Sequence, residues 1–208
     1  MTSDNGPVIK KALGDKWNEL DTIVKQHYDI TPGDECQMVI RGVMSEVFHS
    51  KIAKLFLLPG RFLGALVPYK GRDIPTEVKN WTTQYNRHAM YWHRTLLFPN
   101  KPPITFCSRM EHSGGNEIIE YVKYGVGIRL HTDVSDNALC FRSLGYIWKI
   151  GALKINIPNW VILGDAEIIE KSLSDKQFFI DFNMTHPLFG RTFSYTGTFE
   201  IEASAKTS

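Results

Sequence analysis

The sequence predicts an α+β protein that is mainly β, built as a strongly curved antiparallel sheet or barrel-like meander. After Pro68, apolar and polar residues alternate with a period of two, interrupted by Gly, Pro, Asn and Asp, which is typical of half-buried strands joined by turns. Short joins with hairpin chemistry favour antiparallel neighbours. Eight or more such strands twist too strongly to stay flat, and a chain of 208 residues fits one domain.

An N-terminal helix is predicted over residues 7 to 26. Pro7 suits the first turn of a helix, and apolar residues follow at spacings of three to five, which makes one apolar stripe. The stripe consists of Val8, Leu13, Trp17, Leu20 and Val24. We therefore expect this helix to cover one flank or end of the sheet.

Two further elements precede the main run of strands. Residues 37 to 48 alternate and predict a long strand, in which Gly42 permits a bend. Residues 50 to 66 predict a short apolar helical segment, interrupted at Pro59 and Gly60. We expect its large apolar side chains to fill the core, since large exposed apolar patches are rare on soluble monomers.

The antiparallel strands are predicted between residues 76 and 202. Turn residues separate them, and Ser113 to Gly115 and Ser174 with Asp175 are clear hairpin joins. The strands are expected at 76 to 82, 87 to 98, 103 to 111, 117 to 125, 127 to 134, 137 to 148, 161 to 172, 176 to 185 and 191 to 202.

Charge and cysteine content exclude several classes of protein. The formal net charge is only +2, and Lys and Arg are scattered along the chain, so the basic stripe of a nucleic-acid-binding protein is missing. Cys36, Cys107 and Cys140 form no CxxC pair, which argues against a zinc knuckle and a disulfide framework and favours the cytoplasm. The sequence shows no apolar signal segment and no uninterrupted apolar run long enough to span a membrane.

The stretch RHAMYWHR at 87 to 94 concentrates the most usable chemistry in the chain. On a strand, His88, Trp92 and Arg94 share one face, whereas His93 lies on the other. The two histidines therefore cannot bind one metal ion from within the stretch. Because GxSxG, HExxH and a phosphate-cradling loop are also missing from the sequence, no metal and no cofactor are expected and the catalytic residues stay unknown.

A small-ligand pocket on the concave face of the curved sheet is the favoured site. A solvated outer face is the alternative for each polar residue taken alone. The candidate ligand-binding residues are Arg94, Trp92, Glu167, His88, His131 and Arg129.

Several short motifs from residue 92 onward resemble one bacterial family. They are WHR at 92 to 94, FCS at 106 to 108, PNW at 158 to 160, GDAE at 164 to 167, FFIDF at 178 to 182, HPLFGR at 186 to 191 and YTG at 195 to 197. Their order and spacing resemble the domain-of-unknown-function 4166 family. The resemblance implies a domain that occurs alone, the form expected for this chain, or behind a saccharopine-dehydrogenase-like domain, with no assigned activity.

Three hypotheses for the function remain open. The leading one is non-catalytic binding of a small lipid-like or aromatic ligand, with Arg94 holding an acidic head group. The second is an enzyme whose acid–base pair is Glu167 with His131 or His186. The third is an interaction module that docks on an oxidoreductase through the apolar segment LFLLPGRFLGALV.

Overall fold

A computed structural model of the protein describes residues 6–54 and 67–206. Most of these residues lie in strands, which follow one another along the chain and are joined mainly by short turns. The strands are β1 Cys36–His49, β2 Gly71–Trp81, β3 Ala89–Leu96, β4 Ile104–Gly114, β5 Glu117–Tyr121, β6 Val126–Ser135, β7 Ala138–Ile150, β8 Leu153–Ile157, β9 Asp165–Ser172, β10 Gln177–His186 and β11 Gly190–Lys206.

The strands form a closed antiparallel barrel. Their hydrogen-bonded order is β6-β5-β4-β3-β2-β1-β11-β10-β9-β7-β8, and β6 pairs in addition with β7. That extra pairing closes ten strands into a ring, which confirms the predicted fold class. Closure pairs the backbone N–H and C=O groups that the edge strands of a flat meander would leave without hydrogen-bond partners. Strand β8 lies outside the ring, because β7 pairs with β9 near Leu139 and with β8 near Tyr146 along the same edge.

The predicted N-terminal helix is confirmed, but it is not continuous over residues 7 to 26. The chain forms α1 Val8–Leu13, a 3₁₀ turn at Gly14–Glu19 and α2 Thr22–Tyr28. Gly14 ends α1 with a φ of 56°, and Leu20 is extended. These breaks let every residue of the predicted apolar stripe stay buried, from Val8 to Val24.

The strand predictions differ from the structure mainly at strand ends. The long strand predicted at 37 to 48 is β1, within one residue at each end. The strand predicted at 117 to 125 stops at Tyr121, because residues 123–125 form a 3₁₀ turn. Strand β8 was not predicted at all. Of the predicted helical segment 50 to 66, residues 55–66 lie outside the described part of the chain.

The two ends of the barrel differ in character. The helices cover one end, where Lys16 binds Asp133 at 2.6 Å and the Asp21 amide donates to the Asn137 carbonyl. We call this the helix end. The opposite end, called the rim below, consists of residues 49–54, 67–72, 97–103, 122–125, 148–155, 158–164 and 187–191.

Candidate binding cavity

A cavity of about 240 Å³ lies inside the barrel. Aliphatic and aromatic side chains from most of the strands line it, because period-two alternation sends every second side chain inward. His27 and Tyr28 enter it from the end of α2. An interior that is mainly apolar with a few polar groups is the usual composition of a small-ligand site.

One polar cluster of the cavity is built on β3, β4 and β5. The Arg94 guanidinium lies 2.9 Å from Glu120 Oε1 and donates to the Ser108 hydroxyl, which itself donates to Glu120. The Arg94 guanidinium carbon also lies 4.3 Å from the ring centre of Trp92 and 5.2 Å from that of Phe106. Both charged side chains are largely shielded, since Arg94 is 12% exposed and Glu120 is 17% exposed.

A second polar cluster joins α2 to β9. Nδ1 of His27 lies 2.6 Å from Glu170 Oε1, and the Tyr28 hydroxyl donates to Glu170 Oε2 at 2.9 Å. Because a carboxylate only accepts hydrogen bonds, Nδ1 carries the proton in this arrangement. The His27 ring stacks on Phe178, at 4.7 Å between ring centres. Glu170 and His27 are each about 1% exposed.

Several polar atoms of the cavity wall have no hydrogen-bond partner. They are Nε2 of His27, Nε1 of Trp92 and the hydroxyl of Tyr146, all three on residues that line the cavity. Buried polar atoms in folded proteins are nearly always hydrogen-bonded, and leaving one unpaired costs about 1–3 kcal/mol. Three such atoms around one cavity are therefore donors and acceptors that a bound molecule can satisfy.

The tyrosines of the cavity stay neutral over the physiological range. Burial raises the pKa of Tyr195 to about 12, against an opposing effect of Arg94 and with a further contribution from Glu120. Burial also raises the pKa of Tyr28 and Tyr146. The phenol groups can therefore act as hydrogen-bond donors or acceptors toward a ligand, and not as anions.

The predicted site residues separate into two groups. Trp92 and Arg94 line the cavity, as their shared strand face predicts. Glu167 instead pairs with Arg142 on the outer surface, where it is 55% exposed. Alternation along β9 explains this error, because Ile168 and Glu170 point inward.

The remaining predicted pocket residues also lie outside the cavity. Arg129 forms a two-pronged ion pair with Glu117, with both distances 2.8 Å, on the outer face of β6. His131 shares that face, since Ile128 and Leu130 point inward. His88 is exposed and precedes β3, so the strand face assigned to it does not exist at that position.

His186 has a structural partner at the rim. Its Nε2 lies 2.7 Å from the Trp160 carbonyl, and its Nδ1 accepts a hydrogen bond from the Leu188 amide. Both ring nitrogens are thus hydrogen-bonded: Nε2 to the segment before β9 and Nδ1 to the β10–β11 turn. The acid–base pair expected from Glu167 with His131 or His186 is therefore wrong, because these side chains do not meet in the cavity.

The sequence interpretation missed most of the polar cavity residues. Glu120 and Glu170 lie on predicted strands, and Ser108 lies in the FCS motif. Alternation shows which neighbouring residues share a strand face with each of them, but the sequence does not say which face is interior. His27 gave no signal, because its partner Glu170 lies 143 residues away in the chain.

Neither a metal-binding cluster nor a membrane-spanning helix is present among the described residues. No group of three or more His, Cys, Asp and Glu side chains is placed to hold a metal ion among residues 6–54 and 67–206. In the same part of the chain, none of the helices combines the length and the apolar character needed to cross a membrane.

Comparison with known proteins gives a family and no characterised relative. Neither the curated proteins nor the solved structures contain a match. The family described as "Domain of unknown function (DUF4166)" matches residues 20–199, which include all of the cavity residues named above. The chain therefore belongs to this family.

Proposed function

We propose that the barrel binds a small, neutral, amphipathic molecule in its cavity. The observation that carries this proposal is the set of three buried polar atoms without partners, on His27, Trp92 and Tyr146, around one largely apolar space. A ligand with an apolar body and a polar group matches both features. The closed sheet supplies a rigid wall that requires little ordering on binding.

The charges around the cavity favour a neutral ligand over an acidic one. Glu120 already neutralises Arg94, and Glu170 adds a second carboxylate, which His27 offsets only when it is protonated. The formal charge of the four groups is thus zero or negative. An acidic head group would have to displace Glu120 or remain unpaired beside carboxylates, so the acidic ligand suggested by Arg94 alone is disfavoured.

The hydrogen-bonding pattern specifies the polar part of the ligand. Trp92 Nε1 is a donor and requires an acceptor, whereas His27 Nε2 is an acceptor when Nδ1 donates to Glu170. A hydroxyl group satisfies either atom. The volume of about 240 Å³ lies below the usual range for drug-sized pockets, about 300–1,000 Å³. A ring system or a short chain with a hydroxyl or carbonyl group therefore fits better than a long acyl chain.

Native mass spectrometry and a pair of matched probes test the proposal. The purified protein should carry a co-purifying small molecule, and it should bind neutral 2-naphthol more tightly than anionic 2-naphthoate. Trp92→Phe removes one donor and should weaken 2-naphthol binding about tenfold. Trp81→Phe is the control, because Trp81 stacks on Tyr91 away from the cavity.

Three results would contradict the proposal or part of it. One is a purified protein with no extra mass that also binds neither probe. Another is an equal loss of affinity in the Trp81→Phe control, since that result would place the probe outside the cavity. Tighter binding of 2-naphthoate would overturn the charge argument.

A second candidate function is acid–base catalysis by His27. Glu170 orients the ring through Nδ1, and Nε2 lies at the cavity wall without a partner, which is the arrangement of a histidine base held by a carboxylate. This pair replaces the Glu167 pairs considered from sequence. Diethylpyrocarbonate should modify His27, and saturating 2-naphthol should protect it. Absence of modification at His27 would remove this candidate.

Docking on an oxidoreductase stays a prediction from the family resemblance. The apolar segment on which it depends falls largely in residues 55–66, outside the described part of the chain.

A further inference from the structure

Exposed apolar side chains are concentrated at the rim of the barrel. In the described part of the chain, eleven of fifteen exposed large apolar side chains lie there. They come from six separate rim segments, so they surround the end of the barrel and do not form one isolated patch. They are Ile52, Leu97, Tyr124, Trp148, Ile150, Leu153, Ile155, Trp160, Val161, Leu188 and Phe189.

The β7–β8 hairpin contributes four of these exposed apolar side chains to the rim. Trp148 lies opposite Ile155, and Ile150 lies opposite Leu153. These four side chains share one face of the hairpin, since residues two apart on a strand point the same way. Tyr146 lies on the same face and lines the cavity. The apolar inner face of β7 thus continues beyond Trp148, where β6 no longer pairs with β7.

The charged side chains of the rim segments are all basic. Its seven segments contain nine Lys and Arg residues and no Asp or Glu. Of these nine, only Arg72 has an acidic partner within ion-pair distance among the described residues, namely Glu46 at 3.7 Å. The basic residues are Lys51, Lys54, Lys70, Arg72, Lys101, Lys123, Lys149, Lys154 and Arg191.

The helix end is weakly acidic. Residues 7–28, which contain its helices, are nearly balanced, with four lysines and three acidic residues. The strand connections there are residues 29–35, 82–88, 115–116, 136–137 and 173–176, which hold five acidic residues and only two basic ones, Arg87 and Lys176. The barrel therefore has a charge polarity along its axis. An anionic surface would attract the rim and repel the helix end, which orients the molecule on approach.

We infer that the rim is a docking surface for an anionic phospholipid membrane. Tryptophan and tyrosine side chains favour the headgroup level of a bilayer, and lysines beside them reach anionic headgroups. Trp160 is 63% exposed and Leu188 is 80% exposed, so both can enter the interface without rearrangement of the barrel. A second copy of the chain is a poor occupant, because two rims of the same charge repel each other.

This inference goes beyond the proposed ligand binding and does not depend on it. The lipid surface would contact the outside of the rim, whereas the ligand would occupy the interior. Trp92→Phe, which changes only the cavity, should leave membrane binding unchanged. Failure of one proposal is thus distinguishable from failure of the other.

Vesicle flotation with the full chain tests the inference. The protein should bind vesicles of phosphatidylcholine mixed with phosphatidylglycerol, and should bind pure phosphatidylcholine vesicles much less. The double variant Lys149→Gln with Lys154→Gln removes two rim charges and should lower the partition coefficient roughly thirtyfold. The matched control, Arg87→Gln with Lys176→Gln, removes the same charge from the helix end and should have no such effect.

The apolar contribution needs a separate measurement. Brominated lipids should quench the fluorescence of the two exposed rim tryptophans, Trp148 and Trp160, on binding. Trp160→Phe should reduce that quenching, because Trp17 and Trp92 are buried. Absence of binding to either vesicle, equal binding to both, or equal loss in the control pair would overturn the inference. Rim-dependent binding to RNA or to a protein with no binding to anionic vesicles would also overturn it.

Discussion

The buried Arg94–Glu120 pair offers the sharpest test of the cavity. Glu120→Gln keeps the shape of the side chain and an oxygen that can accept a hydrogen bond, but it removes the negative charge. The Arg94 guanidinium would then remain as an uncompensated charge in a largely apolar interior. Breaking a fully buried ion pair in this way costs about 3–5 kcal/mol.

The expected cost here is smaller than that range because the pair is not fully shielded. Arg94 and Glu120 keep 12% and 17% of their side-chain surface exposed. We therefore expect Glu120→Gln to lower the free energy of unfolding by about 2–3 kcal/mol. Urea denaturation measures this as a shift in the midpoint at unchanged slope.

Glu167→Gln is the matched control for this prediction. It is the same substitution in an ion pair on the outer surface, where Arg142 and Glu167 are 74% and 55% exposed and 3.4 Å apart. Such surface pairs contribute about 0–1 kcal/mol. The double variant Arg94→Met with Glu120→Gln should recover part of the lost stability, since no unpaired guanidinium remains. A cost for Glu120→Gln no larger than that for Glu167→Gln would refute the reasoning.

Three further predictions concern packing, alkaline stability and the rim. Gly42→Ala should cost about 1–3 kcal/mol in thermal unfolding, because the added Cβ clashes with the Thr198 carbonyl across the β1–β11 pairing. Gly6→Ala should cost far less, because its added Cβ would meet only Lys11 Cε, at an ordinary contact distance of 4.0 Å. The pKa of Tyr195 is raised to about 12 from 10.0, so its neutral form favours folding below pH 10 and that contribution is lost as the pH rises through 12. Tyr195→Phe should therefore flatten the stability profile over that interval in urea titrations, and an unchanged profile would contradict this. His186→Ala removes two hydrogen bonds at the rim and should lower the free energy of unfolding by about 1–3 kcal/mol; an unchanged free energy of unfolding would show that other contacts hold the turn.

Alternation in the sequence was sufficient to predict most of the strands and the curved antiparallel sheet. Strand β1 was predicted within one residue at each end, and Trp92 and Arg94 were assigned correctly to one strand face. Local patterns succeed here because side-chain direction on a strand is fixed by the backbone. Strand β8 was missed although its sequence, LKINI, alternates, because it is only five residues long and its residues are mostly exposed instead of buried in the core.

The choice between Glu167 and Glu170 shows what alternation leaves open. The two residues are three apart on β9 and so lie on opposite faces, but apolar residues occupy both faces. Only the closure of the barrel decides that Glu170 faces the cavity and Glu167 faces solvent. The same closure brings His27, from the N-terminal helices, onto a carboxylate 143 residues further along.

The sequence by itself determined the type and direction of the strands, the apolar stripe of the N-terminal segment and the small net charge of +2. The tertiary structure alone decided which strand face is interior and where the charges gather. Lysines and arginines that are scattered along the chain meet at one end of the barrel. The physical reason is that antiparallel connectivity places every second turn at the same end, however far apart those turns lie in sequence.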